Sequence, residues 1–433
     1  MEEIKRKFFE GQLKPYELEK EIFNLFDRDE SKWPEACKLA SEMRLEFLEK
    51  KLGISLSNIR KCFVDTSGKG TTGIEQKIGG ASIPLGFAGP LRIDGEFAKG
   101  EFFIPLATNE AALIAGLNRG IKLVNEAGGV KVKVTHDGMA RAPLLIAPSI
   151  DYASKIVEEI KDREELFLAM KAAAESKSRF SRLVNIQPFQ IGNRIWLRHV
   201  FQTGDAMGMN SATKYTAESI KVLLQKKPEL KLIALSGNMC ADKKNAVVNV
   251  LFGRGKTVHS EVFITSEKLK EIYNLTPKTV EMVNKNKNLI GSAFSGTVSG
   301  FNANVANTIA AIFAACGQDL AQIVESSSGF TVVDAKENGL YCSLTLPSLE
   351  VGTVGGGTGF GTAKECLEMI QCAGSGKKGG ENAKKFAEII CAAALAQDLN
   401  LLCTLARDFE LAESHITLAR GSQQPHQQNP SQL

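Results

Sequence analysis

Apolar and polar positions follow several different periods along this chain. In Ser41-Glu42-Met43-Arg44-Leu45-Glu46-Phe47-Leu48 apolar residues recur among charged ones at helical spacing, and residues 1–60 read as a small helical region. From Cys62 to about Leu106, glycines and prolines punctuate short apolar segments, notably at Gly79-Gly80 and between Pro84 and Gly89-Pro90, which predicts strands and loops. Asn109 to Glu126 has a helical pattern, and Val130 to Val134 alternates as a strand does. Next come a helix over Tyr152 to Ser176, strands around Leu183 to Ile186 and Ile195 to Phe201, a helix over Thr213 to Leu224, and a strand at Lys231 to Leu235. This is an α+β unit inserted into a larger domain. After Val258 helices and glycine-rich turns return, ending in an apolar helix around Ala383 to Cys403, and the stretch from Gly421 onward is polar, rich in Gln and Pro, and expected to be disordered. The organisation predicted is a helical region at 1–60, a large domain in two parts at 61–120 and 236–409, an inserted unit at 121–235 and a disordered tail at 421–433.

A chain of 433 residues exceeds what one hydrophobic core usually serves, and 43% hydrophobic with 24% charged residues is an ordinary globular balance. The 53 basic and 49 acidic residues nearly cancel, leaving +4, which argues against a nucleic-acid partner; an anionic ligand must be met by a local pocket. Nine cysteines are scattered without a Cys-x-x-Cys pair, which suggests reduced thiols in a cytoplasmic protein and no bound metal. The charged N-terminus lacks the apolar core of a signal peptide, and the longest uncharged stretch, Asn288 to Gln318, is interrupted by Ser, Asn, Thr and Gly, so no membrane anchor is expected.

Two nucleotide motifs fail on context. Gly68-Lys69-Gly70-Thr71-Thr72-Gly73 fits G-x-G-x-x-G, but Ile74 to Gly80 is a poor helix; Gly255-Lys256-Thr257 lacks the glycine a phosphate loop needs, since Val250 stands there. A better candidate is Gly352 to Gly359, followed by a predicted helix from Thr362 to Met369, because bare amides at a helix start can take up phosphate or admit a flat ring.

Six further segments occur in order: Glu75-Gln76-Lys77-Ile78-Gly79 with Pro84 to Leu91; Ala107-Thr108-Asn109-Glu110 with Asn118-Arg119-Gly120; Thr203 to Asn210, reading Thr-Gly-Asp-Ala-Met-Gly-Met-Asn; Leu235 to Lys244; Asn286 to Ser292 on through Gly317-Gln318-Asp319; and Glu413-Ser414-His415. Together, over about residues 60–420, they resemble the 3-hydroxy-3-methylglutaryl-coenzyme A (HMG-CoA) reductase family. The resemblance implies an α+β fold in which a large substrate-binding α/β domain carries an inserted, ferredoxin-like dinucleotide domain, not a Rossmann fold. It also implies a homodimer or a dimer of dimers with active sites at the subunit interface, a C-terminal catalytic flap at 410–420, and NADPH as cofactor. Met207, Met209 and the glycine segment look more like class I than class II, and the membrane domain of animal members is missing. Asn304 stands where animal members carry histidine, Gln76-Lys77 replaces Asn-Val, and Gly421 replaces a phosphorylatable serine.

The implied reaction reduces the thioester to mevalonate by two hydride additions; a related reductase with another acyl-coenzyme A, or NAD-dependent oxidation of mevalonate, is the alternative. Each addition creates an alkoxide, which a fixed cation stabilises, and the resemblance gives that place to Lys243. Glu110 is then the proton donor, Asp319 the group coupling it to Lys243, and His415 the acid that protonates the departing coenzyme A thiolate. Read without the resemblance, Glu110 is a first-turn helix carboxylate and Asp242-Lys243-Lys244 a solvated turn. Arg141, Ser236, Asn238, Asp242, Lys244, Lys287 and Asn307 match contacts to the hydroxymethylglutaryl end, and Asn118 and Arg119 match contacts to coenzyme A. Ser178, Arg179, Phe180, Asp205, Met207, Gly208, Met209 and Asn210, with Gly355 and Gly356, match the dinucleotide pocket, where an arginine beside the 2'-phosphate favours NADPH.

Overall fold

The computed structural model describes residues 1–67, 73–178, 180–413 and 416. Arg179, His415, the first residues of the rejected glycine motif, most of the expected flap and the whole tail therefore lie outside the described residues. Two compact units are present: Met1–Pro84 with Gly359–Glu365, and Leu85–Thr358 with the chain from Cys366 onward.

The first unit is helical, as the spacing around Ser41 predicts, but it extends past residue 60 to Pro84. Helices Glu2–Phe9, Leu18–Asn24 and Trp33–Leu52 bury Phe8, Leu18, Ile22, Ala36, Ala40 and Met43 against one another. The buried Arg44 guanidinium pairs with Glu19 at 2.5 Å and donates to the Lys77 carbonyl at 3.2 Å, so Lys77 belongs to this unit's own packing, whereas Gln76 is exposed.

The second unit is built on ten strands: β1 Leu85–Gly95, β2 Lys99–Ala107, β3 Val130–Arg141, β4 Leu144–Ile146, β5 Arg182–Ile191, β6 Arg194–Gln202, β7 Lys231–Ala234, β8 Gly255–Thr265, β9 Phe330–Lys336 and β10 Gly339–Leu349. Among the described residues these strands pair with one another antiparallel, except β1 with β3. On one side β2, β1, β3, β8, β10 and β9 lie in that order; on the other, β6 is flanked by β5 and β4, with β7 beyond β4. Strand β3 serves both sides. Lys131–Gly138 pairs with β8, and Met139–Arg141 pairs with β6, the passage following a register shift between Val134 and His136. Side chains of β8 alternate, with Val258, Ser260, Val262 and Ile264 buried between more exposed neighbours, so one face meets helices.

Helices Leu113–Glu126, Val305–Ala315 and Glu381–Leu405 supply the larger core with those strands. Helix Glu381–Leu405 is long and apolar enough to cross a membrane by length and composition, yet nearly all of its most apolar stretch is buried inside the protein. It lies close against Leu113–Glu126: a Cβ on Gly120 would stand 2.0 Å from the Ala396 carbonyl oxygen. A second core, from Met139 to Leu230, lies between β4, β5 and β6 and helices Ile150–Lys161, Glu165–Glu175 and Met209–Lys226. The expected boundary at residue 121 falls inside helix Leu113–Glu126, whose Ile121, Leu123 and Val124 belong to the larger core.

Three element boundaries differ from expectation for local reasons. The helix expected from Asn109 begins at Leu113, because Ala112 adopts a left-handed φ of 70°. The single helix expected over 152–176 is two, broken in the polar run Asp162-Arg163-Glu164 where Arg163 has a φ of 56°. The strand expected over Val130 to Val134 continues to Arg141, because Asp137 and Gly138 still pair with β8 and Met139–Arg141 pair with β6.

Candidate active site

Lys243 lies in the loop between β7 and helix Val247–Phe252, where Asn238, Ala241 and Lys243 itself hold left-handed φ angles of 65°, 45° and 56°. Its Nζ is 3.1 Å from Asp319 Oδ2, and its backbone N–H donates to Glu325 Oε1 at 2.7 Å. Asp319 stands at the start of the short turn Leu320–Gln322, where its Oδ1 accepts the Ala321 N–H. The Lys243 and Asp319 side chains are 45% and 38% exposed, so water screens the pair and it adds little to stability. What matters is where they are: both line a cavity of about 640 Å³.

Asp242 forms the next part of that wall. It accepts from Gln322 Nε2 at 3.0 Å and pairs with Arg254 at 3.1 Å and Arg141 at 3.7 Å. The mostly buried Arg141 donates further to Thr213 Oγ1 at 3.0 Å and to Ser236 Oγ at 2.7 Å. Behind them Arg254 is fully buried and also ion-paired with Glu325, at 2.8 Å, and with Glu350. Burial pushes both glutamates above the usual carboxylate range, against the pull of Arg254. Carboxylate oxygens of Asp242, Glu325 and Glu350 lie within 4.8 Å of one another, a spacing a metal could use, but the Arg254 guanidinium already sits among them and supplies the positive charge.

Another part of the lining begins at Gly208, whose φ of 89° opens the 18-residue helix Met209–Lys226. Its first turn, Met209 to Ser211, lines the cavity with no side chain capping its N–H groups. Gly352 to Thr358 completes the wall. A Cβ on Gly352 would stand 2.4 Å from the Met207 nitrogen, and one on Gly357 would stand 2.7 Å from the Gly317 carbonyl oxygen, whereas Gly355 and Gly356, at φ 79° and 56°, have open space around them. Asp205 holds this segment from behind. Its carbonyl accepts the Thr353 N–H at 2.7 Å, and its carboxylate accepts the N–H groups of Gly376, Gly380 and Ala383 at the start of helix Glu381–Leu405. Ser178 Oγ accepts the Ser181 N–H, and Phe180 is 82% exposed.

Glu110 lies elsewhere. It lines a second cavity, of about 340 Å³, with Arg119, Asn304 and Asn307, and both of its carboxylate oxygens accept from Asn307 Nδ2 at 2.9 Å. Arg119 packs over the Tyr273 ring at 4.3 Å and pairs with Glu410 at 2.5 Å, while Asn118 Oδ1 accepts the Gly89 N–H. The expected coupling of Glu110 to Lys243 through Asp319 is thus not made within one chain: Asp319 meets Lys243, and Glu110 meets Asn307. Glu110 also precedes its helix instead of sitting in the first turn. Of the remaining substrate candidates, Ser236, Asn238, Lys244 and Lys287 are exposed, Lys244 Nζ lying 3.4 Å from the Asp242 carbonyl and Lys287 standing on the π-helical stretch Asn284–Gly291. Sequence reasoning missed Gln318, Gln322 and Thr358, which line the larger cavity, and the buried Arg254, Glu325 and Glu350 behind it.

The family model for hydroxymethylglutaryl-coenzyme A reductase matches residues 40–420. Curated 3-hydroxy-3-methylglutaryl-coenzyme A reductases from Aeropyrum pernix and Pyrococcus abyssi are each 44% identical to this chain, covering 97% of it and 96% and 100% of their own lengths. Among solved structures, a class II enzyme of that name from Streptococcus pneumoniae, bound to NADPH in open conformations, superposes with a TM-score of 0.62 at 18% identity, over 84% of this chain and 96% of its own. That likeness bears on the fold, a mixed α/β architecture, and not on the class I features expected around Met207 and Met209. By the extent of the sequence match, the chain belongs to the hydroxymethylglutaryl-coenzyme A reductase family.

Proposed function

We propose that this chain reduces HMG-CoA to mevalonate and free coenzyme A at the expense of two NADPH, in the mevalonate route to isoprenoids and in the cytoplasm. One observation carries the reading: Lys243, held at 3.1 Å from Asp319, lines the same cavity as a helix start and two unobstructed glycines. The uncapped first turn of Met209–Lys226 and the bare backbone at Gly355-Gly356 suit the phosphates and flat rings of a dinucleotide. In this reading Ser178, Arg179 and Phe180 bind NADPH, the arginine by meeting its 2'-phosphate.

NADPH supplies the two hydrides, and the chain's residues manage charge and protons. Lys243 stabilises each alkoxide as it forms, and Asp319 fixes the Lys243 ammonium. Glu110 delivers the proton to the substrate oxygen. His415 protonates the coenzyme A thiolate when the hemithioacetal collapses to the aldehyde, and the second hydride then gives the alcohol. Arg141, Asp242, Lys244, Asn307 and Lys287 hold the hydroxymethylglutaryl end, with Ser236 and Asn238 beside them, and Asn118 and Arg119 meet coenzyme A. The strands and helices of the second core, from Met139 to Leu230, form a ferredoxin-like dinucleotide domain inserted in the substrate domain. The assembly is a homodimer or a dimer of dimers: Glu110 and Lys243 line different cavities of one chain, and a subunit interface brings Glu110 of one subunit to Lys243 of the next.

The test follows thiol release and nicotinamide absorbance together with HMG-CoA. Two NADPH oxidised per thiol released is the expected result. Faster turnover of another acyl-coenzyme A, or turnover only of mevalonate with NAD, moves the assignment to the alternative reductase; no turnover with either nicotinamide overturns the enzyme reading.

A further inference from the structure

One short segment grips Lys243 at both ends. Asp319 takes the Nζ at 3.1 Å, and six residues on, Glu325 Oε1 accepts the lysine's backbone N–H at 2.7 Å. Glu325 has no solvent exposure, and the same Oε1 accepts from Arg254 Nη1 at 2.8 Å. Arg254 in turn pairs with Asp242, the residue before Lys243, and with Glu350, so the lysine loop and its support share one buried cation. The loop needs such support, because three non-glycine residues in it hold left-handed backbone angles that isolated chains disfavour.

We propose that Glu325 is a positioning residue for Lys243, acting through the lysine's backbone N–H and itself held by Arg254 against Asp242 and Glu350. The inference rests on the reading of Lys243 as the alkoxide-stabilising group. If Lys243 must stand within hydrogen-bond reach of an oxygen whose charge develops only during reaction, loosening its backbone lowers kcat and leaves ground-state binding alone.

Three substitutions test it, with Lys243→Ala as a companion. Glu325→Ala removes the acceptor, Glu325→Asp keeps the charge for Arg254 but draws the acceptor back by one methylene, and Glu325→Gln keeps a carbonyl oxygen in place. Expected are kcat losses on the order of 10- to 100-fold for the Ala and Asp variants, KM for HMG-CoA and the NADPH dissociation constant within about threefold of wild type, and recovery by Glu325→Gln to within about fivefold. If Glu325→Ala does not fold, the Asp and Gln variants decide. Ala and Asp variants with near-normal kcat overturn the proposal. So does a parallel worsening of kcat, KM and NADPH binding that Gln fails to rescue, which makes Glu325 a support of the fold only. An active Lys243→Ala enzyme defeats the underlying reading instead, whatever the Glu325 variants do.

Discussion

Lys243 places a positive charge on a backbone position that costs of order 1 kcal/mol for a non-glycine residue. The buried Glu325, which accepts the lysine's backbone N–H, offsets that cost. In the proposed mechanism the charge that Lys243 neutralises exists only while hydride is being transferred, so Lys243→Ala is expected to lower kcat by at least about a hundredfold with little change in KM. Steady-state kinetics with HMG-CoA check this, and a near-normal kcat removes Lys243 from the mechanism. His415 is expected to act on one half of the reaction only. The first reduction must expel a thiolate, whereas the second acts on an aldehyde with no sulfur left to protonate. His415→Gln should therefore impair thioester reduction strongly and spare reduction of added mevaldehyde; equal slowing of both assigns the histidine to folding or cofactor binding.

Among the elements, helix Glu381–Leu405 is the spine of the larger core, and its N-terminus is closed by Asp205, 175 residues earlier than Gly380 in the chain. Asp205→Ala leaves three backbone N–H groups without their acceptor, and a loss of roughly 1–3 kcal/mol in stability is expected from thermal or urea unfolding, with partial recovery in Asp205→Asn. A raised KM for NADPH at unchanged stability would instead give Asp205 a direct contact to the cofactor. The helices and strands were largely legible because their apolar periods are strong, as in β8 and in Ala383 to Cys403. Breaks set by a single backbone angle, at Ala112 and Arg163, leave no such trace. That Glu110 and Lys243 line different cavities was legible only through the resemblance, which implies sites between subunits; a motif by itself carries no information on which cavity its side chain enters. Arg254 meets Glu325 and Glu350 at separations of 71 and 96 residues, and no local pattern marks such a cluster.

For the whole molecule, the separation of Glu110 from Lys243 makes a quantitative demand on the assembly. Glu110→Gln and Lys243→Ala homo-oligomers should each be nearly inactive. If sites form between subunits, unfolding and refolding a mixture of the two generates hybrid pairs in which one site regains both groups, and random pairing restores about a quarter of wild-type activity. No recovery on mixing would require each chain to bring its own Glu110 to its own Lys243.

Strand β3 has a consequence for how such a protein can be cut and recombined. Because its first part is hydrogen-bonded into one side of the sheet and Met139–Arg141 into the other, no peptide bond between Val130 and Arg141 can be opened without tearing a strand away from a neighbour. A fragment starting at Ala142 and ending after Leu230 would keep most of the second core yet expose the edge of β6 that Met139–Arg141 covers, inviting it to pair with another copy. Such a fragment should aggregate more readily than one begun at Met139, which keeps that edge of β6 covered; light scattering of the two separates them. The unit around the second core is therefore not a cassette that could be exchanged between relatives at its apparent ends. Any viable chimaera must carry the whole of β3 with it, or borrow a strand of matching register from its new host.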